Sequence, residues 1–198
     1  MKRKRSNGRD FTAAFKTREE GEKKYIEGYF AVYESRYSLW GNSFETISRG
    51  AFDKSLTEGR NIACLWNHDS NYPLGRQSNG TLRLTTDSTG LYGVVEINLD
   101  DSFAADVYAR IKRGDVSQCS IGFDVTRESV VSHEDGSTEF RLEEVDLWEV
   151  SPCTFPAYTE TAIQARRKDK ENLIKRCKEA FQERMDKIAK SYKTEQTN

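Results

Sequence analysis

Two long strand-like stretches, Val116 to Ser129 and Glu139 to Phe155, flank the polar run Ser132-His133-Glu134-Asp135-Gly136-Ser137. A polar break between two such runs reads as the tip of a long hairpin, so any fold this chain adopts is built around a sheet. Tyr25 to Tyr33 adds an alternating aromatic and β-branched strand, and Ile62-Ala63-Cys64-Leu65-Trp66 reads as a short buried one. Asn79-Gly80 and Asp87-Ser88-Thr89-Gly90 are hairpin signals. The second separates Thr81–Thr85 from Leu91–Leu99, which predicts antiparallel pairing.

Helical signals are fewer. Ser48 is positioned to cap a helix over Arg49 to Leu56 that stops at Gly59. Ser102 to Arg113 places Phe103, Val107, Tyr108 and Ile111 on one face, with Asp100 or Asp101 as cap and Gly114 as stop. Ile174, Cys177, Phe181, Met185, Ile188 and Tyr192 recur three or four apart and predict an amphipathic C-terminal helix. The expected class is α+β, a mostly antiparallel sheet of six or seven strands able to close into a barrel, with two or three helices.

With 198 residues there is room for one domain. The expected division is a disordered basic arm over 1–21, a domain over 22–165 and an amphipathic helix or tail over 166–198. Charged residues make up 32% against 36% apolar, and the mean hydropathy is −0.80, which predicts solvated termini. A net charge of −1 argues against a surface built to hold nucleic acid. No apolar run is long enough to span a bilayer, and the basic start leads into polar residues, so no membrane association and a cytoplasmic location are expected. Cys64, Cys119, Cys153 and Cys177 are spread without a C-x-x-C pair and read as reduced, small apolar residues.

A serine hydroxyl is a weak nucleophile until a base sits within hydrogen-bond reach and a third group orients that base. The chain has two histidines. His133 falls in the polar hairpin tip, whereas His68 follows an apolar strand that can fix its backbone, so His68 is the better base. In Gln118-Cys119-Ser120-Ile121-Gly122-Phe123 the side chains alternate, so Cys119 and Ser120 point to opposite faces and one of them can meet His68. Glu143, Glu144, Asp146 and Glu149 are candidate orienting acids, and a carboxylate beside Trp148 could be buried enough to pair with an imidazole.

Taken together, Gly28-Tyr29-Phe30-Ala31-Val32-Tyr33, Glu45-Thr46-Ile47-Ser48-Arg49-Gly50-Ala51-Phe52, Trp66-Asn67-His68-Asp69 with Pro73-Leu74-Gly75, Ser120-Ile121-Gly122-Phe123 and Glu149-Val150-Ser151-Pro152-Cys153-Thr154-Phe155-Pro156-Ala157 resemble, in order and spacing, the prohead proteases of tailed bacteriophages. That family is related to the herpesvirus assemblin proteases. The resemblance implies an assemblin-like barrel ringed by helices, His68 as base and Ser120 as nucleophile of a serine endopeptidase. Glu149 is the chosen third member, with Asp146 as runner-up, since one register step would exchange their environments. The herpesvirus relatives use a second histidine there, from which this sequence departs.

The resemblance also implies substrates: the major capsid protein's scaffolding segment or a separate scaffold, and the protease itself, cut inside the procapsid in the host cytoplasm. A homodimer or higher oligomer fits the pattern, and no cofactor or metal is implied. Candidate oxyanion donors are the amides near Gly75 and Arg76, the Arg76 charge assisting, or the Ser120-Ile121 amide. The arm and the C-terminal helix would be handles for co-packaging. Three rival readings compete: a silent scaffold with the same fold, a metal hydrolase suggested by Asn67-His68-Asp69 with Asp100-Asp101, and nucleic-acid binding through Lys2 to Arg9.

Overall fold

A computed structural model describes residues 15–154 together with Lys175, Glu179 and Gln182, and among the described residues of the first of two units, Met1–Ala157, there are ten strands and two short helices. The strands in chain order are β1 Lys16–Glu20, β2 Lys23–Val32, β3 Tyr37–Ser38, β4 Ser43–Ile47, β5 Ala63–Trp66, β6 Asp69–Arg76, β7 Leu82–Thr86, β8 Gly90–Ile97, β9 Gln118–Ser132 and β10 Thr138–Cys153. The helices are α1 Asp53–Thr57 and α2 Ser102–Arg113. In the second unit, Tyr158–Asn198, the three described residues are helical and Lys175 pairs with Glu179 at 4.0 Å. The rest of the expected C-terminal helix, like residues 1–14 of the expected arm, lies outside the described residues.

The α+β class and the mostly antiparallel pairing hold, but the expected barrel ringed by helices does not form among the described residues. There are two separate sheets instead. One has the order β1-β2-β8-β7, and the other runs β3-β4-β10-β5-β6 with β9 on the opposite side of β10. Closure fails because no strand of one sheet pairs with a strand of the other. Apolar side chains from both sheets meet in one core, including Phe30, Leu91 and Val95 from the first and Ile47, Cys64 and Val150 from the second.

β10 organises the second sheet. Its first half pairs in parallel with β4, from Thr138↔Ser43 to Leu142↔Ile47, and its end pairs in parallel with β5 at Glu149↔Ala63 and Val150↔Cys64. Between those partners the open edge is filled by the α1 region. Val145 N–H donates to Ala51 O (3.0 Å), and the buried Ser55 Oγ donates to Val145 O (2.7 Å) and accepts from Leu147 N–H (2.9 Å). These bonds satisfy backbone groups that burial would otherwise penalise.

Other expectations shift. Lys16–Glu20 is a strand rather than part of an arm, because Lys16↔Glu27 through Glu20↔Lys23 pair it with β2 and Arg18 bonds Glu27 at 3.2 Å, without any apolar alternation to signal it. α1 starts at Asp53, not Arg49; Gly50 at φ +83° and a turn in which Ala51 N–H donates to Ser48 O precede it. Asn79-Gly80 does not join paired strands: it ends a single 3-10 turn that passes the chain from β6 in one sheet to β7 in the other. α2 forms over the expected residues, with Asp101 Oδ1 accepting from Phe103 N–H (2.9 Å) and Gly114 left-handed at its end.

Candidate active site

The base candidate stands on a two-residue turn. Asn67 and His68 join β5 to β6 with φ of +51° and +63°, the positive pair that a type I′ hairpin requires. Histidine in that region costs about 1 to 2 kcal/mol, so the neighbours must hold it there. They do: Asn67 N–H donates to Pro152 O (3.1 Å), Thr154 N–H donates to Asn67 Oδ1 (3.0 Å), and His68 N–H donates to Ser151 Oγ (3.3 Å). The hairpin tip is thereby pinned to the end of β10.

The acid reaches it through a change of phase. Core-facing residues of β10 run Phe140, Leu142, then Val145, Leu147, then Val150. The parity switches twice because Glu143 and Trp148 are extra residues opposite β9, where Leu142↔Glu128 is followed by Glu144↔Arg127 and Leu147↔Phe123 by Glu149↔Gly122. The second bulge turns Glu149 away from the face that Asp146 and Trp148 would otherwise dictate. His68 Nδ1 lies 2.5 Å from Glu149 Oε1. A Cβ on Gly122 would run into the Glu149 carboxylate, so a residue without one lets that side chain lie flat on β9.

The other three carboxylates have their own cations. Glu143 pairs with Arg127 (3.1 Å), Glu144 with Lys54 (2.9 Å) and Asp146 with Arg60 (3.0 Å). Trp148 is no lid on the acid; it is 53% exposed, with its indole N–H on Asp124 (2.9 Å). Burial of Glu149 comes from the bulge, not from its neighbour's ring. His133 is far along the hairpin, stacked on Phe44 and bonded to Glu139 at 3.0 Å.

The two nucleophile candidates separate as alternation requires. Cys119 Sγ points at the Tyr29 and Phe30 carbonyls (3.2 and 3.4 Å), and burial pushes its thiol up to about 12. Ser120 is on the other face, half-buried, directly across from Ser151 in the register, so it shares a face with Glu149, Ser151 and Gly122. Ser120 Oγ has no hydrogen-bond partner among the described residues.

Gly75 and Arg76 lie across β5 from this site. Arg76 pairs with Ala63, which pairs with Glu149, placing it two strands away, roughly 10 Å. Its N–H is already donated to Thr81 Oγ1 (2.9 Å). The cleft of about 570 Å³ that includes Gly75, Arg76, Asp100 and Asp101 has no lining from His68, Ser120 or Glu149. Ile121, next to Ser120, pairs with Val150 and packs on the core. Since β9 pairs only with β10 among the described residues, one of the consecutive Ser120 and Ile121 amides faces its unpaired side.

Two residues at the site escaped sequence reasoning. Cys153, 1% exposed, directs its thiol at Ser151 O (3.4 Å) and is close enough to His68 that its sulfur first, and the Glu149 carboxylate second, push the imidazole up to about 10 against the opposing pull of burial. Ser151, fully buried, donates to Glu149 Oε2 at 2.5 Å. Both follow from the phase switch: once Val150 is a core residue, Glu149, Ser151 and Cys153 must share the opposite face.

A family model described as caudovirus prohead serine protease matches residues 12–176. The prohead protease of Enterobacteria phage HK97 is 30% identical over 148 residues, 74% of this chain; the chain spans 61% of that relative's length. The solved bacteriophage T4 capsid assembly protease aligns with a TM-score of 0.40 and 15% identity, over 72% of this chain and 96% of its own.

Proposed function

The chain belongs to the caudovirus prohead serine protease family, and from that membership we propose that it is a serine endopeptidase of head maturation with Ser120 as nucleophile, His68 as general base and Glu149 as the acid orienting it. The 2.5 Å contact between His68 Nδ1 and Glu149 Oε1 carries the residue assignment, because it couples an imidazole to a carboxylate on the face that Ser120 shares. Substrates are the capsid protein's scaffolding segment or a separate scaffold, and the chain itself, within the procapsid.

In the reaction, Ser120 Oγ attacks a peptide carbonyl and His68 takes its proton, then returns it to the leaving amine; water hydrolyses the acyl-enzyme by the same route. The amide on the unpaired side of β9, from Ser120 or Ile121, is the oxyanion donor this reading favours over Arg76, whose N–H is occupied. Such a donor is typically worth about 3 to 4 kcal/mol of barrier.

The influence of the Cys153 sulfur on His68 favours one alternative, a cysteine nucleophile, although a thiol 1% exposed is closed to a peptide carbonyl. Co-expression of the wild type, Ser120→Ala and Cys153→Ser with the cognate capsid protein, followed by mass spectrometry, separates the two. Cleavage by the wild type and Cys153→Ser but not by Ser120→Ala is expected. Processing by Ser120→Ala at the wild-type rate would remove Ser120 from the mechanism, and none by the wild type in assembled proheads would overturn the peptidase reading.

A further inference from the structure

Ser151 closes a ring of hydrogen bonds that begins and ends on one histidine. Its Oγ accepts from His68 N–H (3.3 Å) and donates to Glu149 Oε2 (2.5 Å), while Glu149 Oε1 meets the same histidine's Nδ1 (2.5 Å). We propose that Ser151 is a positioning residue that ties the backbone of His68 to the carboxylate orienting its ring, so that base and acid hold one geometry; the inference rests on the peptidase reading above.

Three observations point the same way. First, Ser151 is fully buried, and each of its two bonds ends at the His68–Glu149 pair rather than at unrelated backbone. Second, the carboxylate has no slack: Gly122 lies beneath it, Oε1 goes to the ring and Oε2 to Ser151, so the hydroxyl decides which oxygen the imidazole receives. Third, His68 sits in a left-handed turn whose backbone would relax on its own, and Ser151 is the group on β10 that bonds that residue's own amide. An imidazole that swings by even 1 Å from its acid loses on the order of 100-fold in rate. A buried hydroxyl kept merely to satisfy its own polarity would leave the ring's titration unaffected.

That difference is the test. His68 and His133 are the two histidines of the chain, so protein labelled with ¹⁵N-histidine reports the site and a distant control together. In Ser151→Ala the His68 titration midpoint is expected to fall by at least one pH unit and the Nδ1–H signal to broaden, while His133 is unchanged. With a cleavable peptide from the capsid substrate, kcat is expected to fall about 10- to 100-fold with KM nearly constant. The His133 signals also show whether the variant is folded; if Ser151→Ala does not fold, Ser151→Cys keeps the side-chain length while weakening both bonds. An unmoved His68 titration in a folded variant, whatever its thermal stability, overturns the proposal. The NMR readout needs no turnover, so failure of the peptidase reading, seen as undiminished cleavage by Ser120→Ala, is told apart from failure of this one.

Discussion

Trp148 and Glu149 are adjacent in sequence, yet Trp148 is the extra residue of a β-bulge and Glu149, just past it, bonds His68. The bulge selects which carboxylate meets His68. Glu149→Gln is therefore expected to lower kcat/KM by about 10³- to 10⁴-fold, the scale of losing the orienting carboxylate of a triad. Asp146→Asn breaks only the pair with Arg60, whose Asp146 Oδ1 is buried, and should lower stability while leaving cleavage by the folded variant within a few-fold. Steady-state kinetics and urea unfolding of both variants check this; equal losses of activity would sink the assignment.

Gly122→Ala brings a Cβ into the Glu149 carboxylate. Overpacking of this kind costs about 1 to 3 kcal/mol, and here it also displaces the acid from the base. The cost should nearly vanish in a Glu149→Ala background, where the clash is absent. A double-mutant cycle by thermal or urea denaturation measures the coupling, and additive costs would contradict it.

Histidine 68 titrates high. Its protonated form is favoured in the folded state, so its stabilising contribution is complete below the ordinary histidine value of 6.5 and is lost as pH rises through about 10. Unfolding free energy should decline between pH 7 and 10.5, and less steeply in Glu149→Gln. A general base must be neutral to accept a proton, so kcat/KM of the wild type should climb with pH across the same alkaline range. A flat profile from pH 6 to 9 would speak against the geometry.

Because the nearby Cys153 sulfur is the foremost cause of that rise, Cys153→Ala should move the midpoint of the pH–rate profile down while cleavage persists. Cys119→Ala should leave the profile in place, since its sulfur faces the Tyr29 and Phe30 carbonyls. Abolished cleavage in Cys153→Ala would instead identify that thiol as the nucleophile.

Local signals carried the elements they encode. The cap at Asp101 and stop at Gly114 delimit α2 because both act within a turn of the helix they bound, and the polar run 132–137 marks the β9–β10 hairpin for the same reason. Strict alternation likewise separated Ser120 from Cys119. The shared edge of β10 was not legible, since parallel pairing of residues 43–47 and 63–64 with one strand leaves no local trace. β1 was missed because its pairing rests on charged residues. Ser151 and Cys153 were hidden by a phase switch, although the apolar positions 140, 142, 145, 147 and 150 record that switch for a reader who follows parity along the strand.

The parallel wiring of β10 also sets when the machinery can exist. The proposed base and acid are 81 residues apart, and the hairpin bearing His68 is held by groups at 151, 152 and 154. A chain emerging from the ribosome exposes its histidine, and later its serine, long before the strand that fixes either of them; pairings so distant in sequence form late. On the proposed reading, a nascent copy stays an incomplete tool until β10, the last strand among the described residues, has been made and paired.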